Sequence, residues 1–234
     1  MIRAVTFDAA GTLIAPREPV GATYARLARA HGIDAEPAAV DAAFRRALRH
    51  APPLAFPDVP GSGIAMHERK WWRDVVRSAL GPGAEHPRFG AYFDTLFAHY
   101  ADASAWRVFP DVAAALHDVR GRGLRVGVVS NFDGRLPALL DRLGLGAAFE
   151  AVVWSSAVGA AKPARAIFEA ASRRLAVPVG DVAHVGDDPE ADVEGAYASG
   201  MAAIQLDRSG AEPAAIRSLS ELGARLDQIM RTDR

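Results

Sequence analysis

Residues 2–13 read Ile-Arg-Ala-Val-Thr-Phe-Asp-Ala-Ala-Gly-Thr-Leu. From Ile2 to Phe7 the run is short and mostly apolar, and Asp8 ends it with a charge before the turn-forming Gly11-Thr12. Continuous apolar runs of this length, bounded by Gly, Asp or Asn, suit strands buried on both faces of a parallel sheet. Four more such runs lie at residues 124–129, 151–153, 182–185 and 202–205. Helical periodicity occupies the intervals, at 112–121, 135–143, 164–175 and 190–199. Strand alternating with helix predicts an α/β protein with a doubly wound, parallel-sheet, Rossmann-like core. Near the C-terminus Leu219, Leu222, Leu226 and Ile229 share one helical face, with Ser218 and Glu221 spaced as a capping box.

After the first strand the pattern changes. Residues 20–31, 37–50, 66–80 and 89–100 read as four helices, interrupted by a Pro/Gly-rich stretch at 51–63, and no strand is apparent among them. Such a stretch predicts an inserted all-helical cap over residues 15–104, leaving residues 1–14 and 105–234 as the core.

Composition narrows the function classes. A formal net charge of -1 gives no basis for a nucleic-acid or anionic-membrane partner. No apolar run approaches the roughly 18 residues of a spanning helix, and the start is too short and too early-charged for a secretory signal; a cytoplasmic protein is expected. Without cysteine there is no disulfide framework, thiol nucleophile or cysteine zinc site. Of 27 basic residues only Lys70 and Lys162 are lysine. In so arginine-biased a chain, a surviving lysine points to a need for a compact ammonium rather than a planar fork.

In open α/β sheets, ligands bind outside the carboxyl ends of the strands. Those ends carry Asp8, then Ser130-Asn131, then Lys162 in the loop after the third core strand, then Asp187-Asp188. Two carboxylate sites, a hydroxyl and an ammonium at one edge are the parts of a phosphoryl-transfer centre: carboxylates hold Mg²⁺ through oxygen, donors hold phosphate oxygens, and a carboxylate can attack to form an acyl phosphate.

The order Asp-x-x-Gly-Thr-Leu from Asp8, Val-Ser-Asn at 129–131, Lys162-Pro163, and Val-Gly-Asp-Asp at 185–188 with Asp192 beyond resembles the haloacid-dehalogenase-like hydrolase superfamily. The likeness covers residues 1–14 and about 105–206, and the insertion is similar to that superfamily's type-one helical cap. The resemblance implies Asp8 as nucleophile and metal ligand, Ala10 as a ligand through its backbone carbonyl, and Asp187 as the second acidic ligand of Mg²⁺. It implies Ser130 and Lys162 as catalytic and phosphate-binding groups, with Thr12 and Asn131 beside them on a small phosphorylated substrate. Asp188 would support the site, and Asp192 would support the lysine or a metal-bound water.

The chain also departs from the pattern. Phosphatases of the superfamily usually have a second aspartate where Ala10 stands, for acid–base work typically worth about 10²–10⁴-fold. Its loss implies a weakened or specialised phosphatase, least handicapped on acyl phosphates, anhydrides and aryl phosphates. An alternative is a catalytically silent relative that binds a phospho-ligand or a protein. The 2-haloacid dehalogenases also lack that aspartate. They differ at Asp187, Phe168 and Pro189, where they resemble one another in serine, tyrosine and asparagine, so they rank third. The branch most similar in these respects is the rhythmically-expressed-protein-like hydrolases. Substrate identity and oligomeric state stay open.

Several residues carry plainer readings. Asp188 before Pro189 fits a helix N-cap with proline at the first position. His184, inside an apolar strand, reads as a satisfied core histidine. Trp71 and Trp72 read as inward packing. Arg17 and Glu18, just past the nucleophile turn where the cap hinge is expected, are by contrast candidates to replace the missing acid–base function.

Overall fold

The computed structural model describes residues 1–232. In chain order β1 (Ala4–Phe7) and β2 (Ile14–Pro16) precede four helices, α1 (Val20–Ala30), α2 (Pro37–His50), α3 (Ile64–Leu80) and α4 (Phe89–His99). Then come β3 (Trp106–Val108), α5 (Val112–Gly121), β4 (Arg125–Ser130), α6 (Leu136–Arg142), β5 (Ala151–Trp154), α7 (Ser155–Val158) and α8 (Arg165–Leu175). The chain continues through β6 (Val182–Gly186), a π-helical turn (Pro189–Glu194), α9 (Gly195–Ala198), β7 (Ala202–Gln205) and α10 (Leu222–Thr232).

The described chain forms two compact units. One contains Met1–Ala15, Ala55–Asp58 and the chain from Val108 onward; the other contains Pro16–Leu54 and Val59–Arg107. The first is built on a five-stranded sheet in the order β5-β4-β1-β6-β7, with every neighbouring pair parallel. This is the doubly wound, Rossmann-like α/β core expected. Its centre is β1, with all four residues buried and Phe7 in register with Val128 on one side and Val185 on the other. Ile167, Phe168 and Leu175 of α8 pack on the sheet residues Val129 and Val153 in one continuous cluster. An apolar face buried this way contributes roughly 1.5–3 kcal/mol per large side chain.

The second unit is built on the four helices α1–α4, with Pro16 of β2 and Trp106 and Arg107 of β3 at its two ends. Its core joins Tyr24 and Ala28 of α1, Val40 of α2, Val76 and Leu80 of α3, and Tyr92, Phe93 and Leu96 of α4. Trp72 packs against this cluster, as expected, whereas Trp71 meets the Trp72 ring edge-on at 4.9 Å and donates its indole N–H to the Pro52 carbonyl at 2.7 Å. On α3, Arg69, Arg73 and Arg77 stack over Phe93 and Phe97, Phe89 and Phe93, and Phe89 respectively.

Two short strands were not apparent in the sequence. β2 and β3 form their own two-stranded sheet, flanked by Arg17 N–H on the Ala105 carbonyl and Phe109 N–H on the Leu13 carbonyl. Three residues each are too few to show the period of two on which strand recognition rests. The capping box at α10 is also altered. Ser218 accepts from Ser220 N–H at 3.2 Å, whereas Glu221 accepts from Arg217 N–H at 3.2 Å, one residue before the expected cap. Leu219, Leu222 and Leu226 are buried as the periodicity requires. Among the described residues no helix is long and apolar enough to cross a membrane.

Candidate active site

Because the strands run parallel, their carboxyl ends open on one edge, and the sequence-predicted groups meet there. Asp8 follows β1 and donates its N–H to the Val185 carbonyl of β6 at 2.9 Å. Ser130 is the last residue of β4, and Asp187 follows Gly186, the last residue of β6. Asp8, Asp187 and Asp192 each place a carboxylate oxygen within 4.8 Å of the others.

Lys162 is the cation at the centre. It is 5 % exposed, its Nζ donates to Asp8 Oδ1 at 2.6 Å, and it forms a second ion pair with Asp192 Oδ1. Burial by itself would depress the ammonium pKa, but attraction to Asp8 and Asp192 holds it above the ordinary lysine value. For Asp192, burial is likewise outweighed: the Lys162 charge and the His184 hydrogen bond keep its carboxyl well below the usual range. Asp8 moves the other way. Burial raises its carboxyl against the pull of Lys162, the Asp192 charge adds to the rise, and a Ser130 hydrogen bond opposes it.

Asp187 is exposed as a residue, but its carboxyl lies against Asp8 and Asp192. Desolvation there, with the charges of Asp8 and Asp192, pushes its carboxyl up to about 7. It leans on the turn after β1: the Thr12 hydroxyl donates to Asp187 Oδ1 at 3.0 Å. Gly11, with φ at +97°, allows the carboxylate so close that any Cβ would overlap it. That turn therefore needs glycine for both conformation and space.

Two residues expected against the phosphate have other partners. Thr12, fully buried, spends its hydroxyl on Asp187. Asn131 bonds the Lys162 backbone through both amide heteroatoms, Nδ2 donating to the carbonyl at 2.9 Å and Oδ1 accepting from the N–H at 2.7 Å. Asp188 is the N-cap its sequence suggested, accepting from Glu190 and Ala191 N–H at 3.0 and 2.8 Å. Arg17 and Glu18 are engaged within the helical unit. Arg17 donates to the Ser104 and Trp106 carbonyls, and Glu18 accepts from Thr23 and Arg26.

Sequence reading missed what lies behind Asp192. Its Oδ1 also meets His184 Nε2 at 3.0 Å, and His184 Nδ1 meets the Thr6 hydroxyl at 2.9 Å. Its Oδ2 accepts from Asp188 N–H at 3.0 Å. The π turn makes this possible: Val193 N–H reaches back to the Asp188 carbonyl, and Asp192 folds over Gly186, where a Cβ would collide with its carboxyl. Single-turn π-bulges of this kind recur at functional sites. His184 is thus a satisfied core histidine as read, but one whose partner is the acid behind the lysine. The spacing His184-x-x-Asp187, with Asp192 a turn further on, was visible. Nothing in it disclosed a turn wide enough to aim Asp192 backwards.

The donor set fits a hard divalent cation. All three acids offer oxygen, as Mg²⁺ requires, and a single buried lysine does not neutralise three carboxylates. Asp192 already accepts from Lys162, His184 and Asp188 N–H, so Asp8 and Asp187 are the pair with more capacity left. In the helical unit, a groove of about 460 Å³ is lined by Ala47, Trp71 and Val75. Its polar lining is Arg46, His50, Asp74 and Ser78, of which Asp74 is paired with Lys70 at 2.7 Å and the His50 ring meets the Arg46 carbonyl at 2.8 Å.

A parallel sheet whose carboxyl edge gathers acids around a buried lysine defines a hydrolase-like α/β class, and sequence comparison places the chain within it. The family model for haloacid dehalogenase-like hydrolases matches residues 2–200. A mouse (Mus musculus) relative, haloacid dehalogenase-like hydrolase domain-containing protein 3, is 39% identical over 216 residues, covering 91% of this chain and 84% of its own. The chain belongs to the haloacid dehalogenase-like hydrolase family. Among solved structures it is similar to a HAD phosphatase from Thermococcus onnurineus, with TM-score 0.67 and 26% identity over 96% of this chain and 98% of that one. It is also similar to a 2-haloacid dehalogenase from Pseudomonas syringae, with TM-score 0.60 and 25% identity over 97% and 99%.

Proposed function

We propose that this protein is a Mg²⁺-dependent phosphohydrolase acting on a small phosphorylated compound through an aspartyl-phosphate on Asp8. The observation that carries the reading is the Lys162 ammonium, buried and shared between Asp8 and Asp192, with Asp187 as the remaining acid in reach. Asp8 and Asp187, with the Ala10 backbone carbonyl, are the residues that would hold the cation. When bound, it neutralises charge on the phosphoryl oxygens.

The remaining work falls to the chain. Lys162 and the Ser130 hydroxyl bind the phosphoryl oxygens and orient phosphorus toward Asp8. The Asp8 carboxylate oxygen forms a bond to phosphorus as the bond from phosphorus to the leaving oxygen breaks. Water then attacks phosphorus, the bond to Asp8 breaks, and phosphate and the free carboxylate return. Thr12 positions Asp187, Asn131 and Asp192 position Lys162, and Asp188 caps the turn carrying Asp192. With a methyl group at Ala10 the leaving oxygen receives no proton from that position, which favours substrates whose leaving groups are already good. The expected division, a core at 1–14 and 105–234 with an insertion at 15–104, differs at its boundaries from the two compact units, Ala55–Asp58 grouping with the sheet and residues 105–107 with the helices; the insertion acts as a cap selecting among substrates in the cytoplasm.

Hydrolysis of acetyl phosphate or p-nitrophenyl phosphate, with and without Mg²⁺, tests the reading. Turnover should require the cation and vanish in Asp8→Asn; equal rates for wild type and Asp8→Asn would reject it. The likeness to a 2-haloacid dehalogenase supports a second reading in which Asp8 attacks carbon and releases halide. Halide release from 2-chloropropionate that survives chelation would select that reading. Tight phospho-ligand binding without turnover, unchanged by Ala10→Asp, would select a silent binding protein.

A further inference from the structure

Arg208 lies three residues past β7 and spreads its guanidinium over two segments distant in sequence. Nη2 donates to the Thr12 carbonyl at 2.8 Å and Nε to the Gly11 carbonyl at 3.4 Å. Nη1 and Nη2 also fork onto the Asp111 carboxylate at 2.8 and 3.1 Å. The guanidinium carbon sits 3.8 Å from the centroid of the Phe109 ring. Asp111, just before α5, is itself anchored, accepting the Ser218 hydroxyl at 2.8 Å and Leu219 N–H at 2.9 Å. Burial opposes its ionisation, yet Arg208, Ser218 and Leu219 hold its carboxyl at about 2.

The two carbonyls that Arg208 grips belong to the turn on which Asp187 leans. Thr12 donates to Asp187, and Gly11 gives it room. Phe109, under the guanidinium, donates its N–H to the Leu13 carbonyl at 3.0 Å, so the same turn is tied down again one residue on. The charge of Arg208 is offset by Asp111, leaving geometry as its contribution. Only a planar fork can reach two carbonyls and both carboxylate oxygens together. We infer that Arg208 is a positioning residue for the acidic centre: by clamping the Gly11 and Thr12 carbonyls to Asp111, it sets where Asp187 stands relative to Asp8. The consequence for metal binding rests on the function proposed above, whereas the clamp itself does not.

Two readouts on the full chain test this. In the first, Mn²⁺ affinity is measured by electron paramagnetic resonance for wild type, Arg208→Lys and Asp111→Asn. Loss of a residue that orients metal ligands costs about 10–100-fold in affinity, and that weakening is expected in both variants although Lys keeps the charge. In the second, amide hydrogen exchange is followed at Gly11 and Ile14, whose N–H groups close the turn on the Ile14 and Ala9 carbonyls, with Val126 in β4 as an internal reference. Faster exchange at Gly11 and Ile14 with Val126 unchanged supports the clamp; wild-type exchange and affinity in both variants overturn it. If wild type binds no Mn²⁺ that Asp8→Asn weakens, the metal reading fails and exchange alone decides the clamp. Should Asp111→Asn not fold, Arg208→Lys carries the test.

Discussion

Asn131 and Lys162 are joined as two paired strands would be, the side-chain amide of one meeting the backbone N–H and carbonyl of the other at 2.7 and 2.9 Å. Asn131 follows the last residue of β4, so the sheet edge dictates where the lysine backbone sits and thereby where its ammonium meets Asp8. Asn131→Ala leaves a part-buried N–H and C=O unpaired, at a cost of about 1–3 kcal/mol. A lowered urea midpoint together with reduced turnover is expected. An unchanged midpoint would show that water replaces the amide at no cost.

His184 bridges Thr6 and Asp192 inside the core, 1 % exposed. Replacing it with leucine leaves the Thr6 hydroxyl and one lone pair of Asp192 without partners, and the lysine tether loosens. His184→Leu should lower stability by about 1–3 kcal/mol, with His184→Gln recovering part of the loss and most of the turnover. Equal behaviour of the two variants in urea unfolding and phosphatase assays would reduce His184 to a space-filling residue.

The carboxyl of Asp187, pushed up to about 7, makes stability depend on pH in a sign that can be stated in advance. Without a cation the native state keeps a proton on Asp187 that the unfolded chain loses near the ordinary value of 3.8. Its contribution is therefore favourable to the folded form at low pH and falls as pH rises from about 4 to 7. Metal ligands bind deprotonated, so Mg²⁺ should raise the melting temperature more at pH 8 than at pH 5.5. Thermal melts at the two pH values check this, and an equal gain at both would contradict it.

Ala10→Asp should restore proton donation to the leaving oxygen. The gain should be large on alkyl phosphates, within the roughly 10²–10⁴-fold range of general acid catalysis, and small on aryl or acyl phosphates that need little protonation. Parallel kcat measurements on both substrate types decide the matter. The same change on both would show that position 10 does not limit the reaction through proton transfer.

The five core strands, the helical insertion and the acids at the strand ends were legible in the chain itself. They depend on local, periodic quantities: short apolar runs, helical spacing, and a charged or small residue where a buried strand must stop. Asp8, Ser130 and Asp187 follow from those stops because a parallel sheet opens every carboxyl end on one edge, and Lys162 stood out as one of two lysines in an arginine-biased chain. What each side chain does there was decided only by the tertiary structure. Thr12 and Asn131, expected beside a phosphate, hydrogen-bond Asp187 and the Lys162 backbone in this structure. Asp192 turns back under a π turn to hold the lysine, and Arg208 reaches nearly 200 positions to the Gly11–Thr12 turn. Hydrogen bonding depends on ångström-scale direction between residues remote in sequence, and no local pattern encodes that direction.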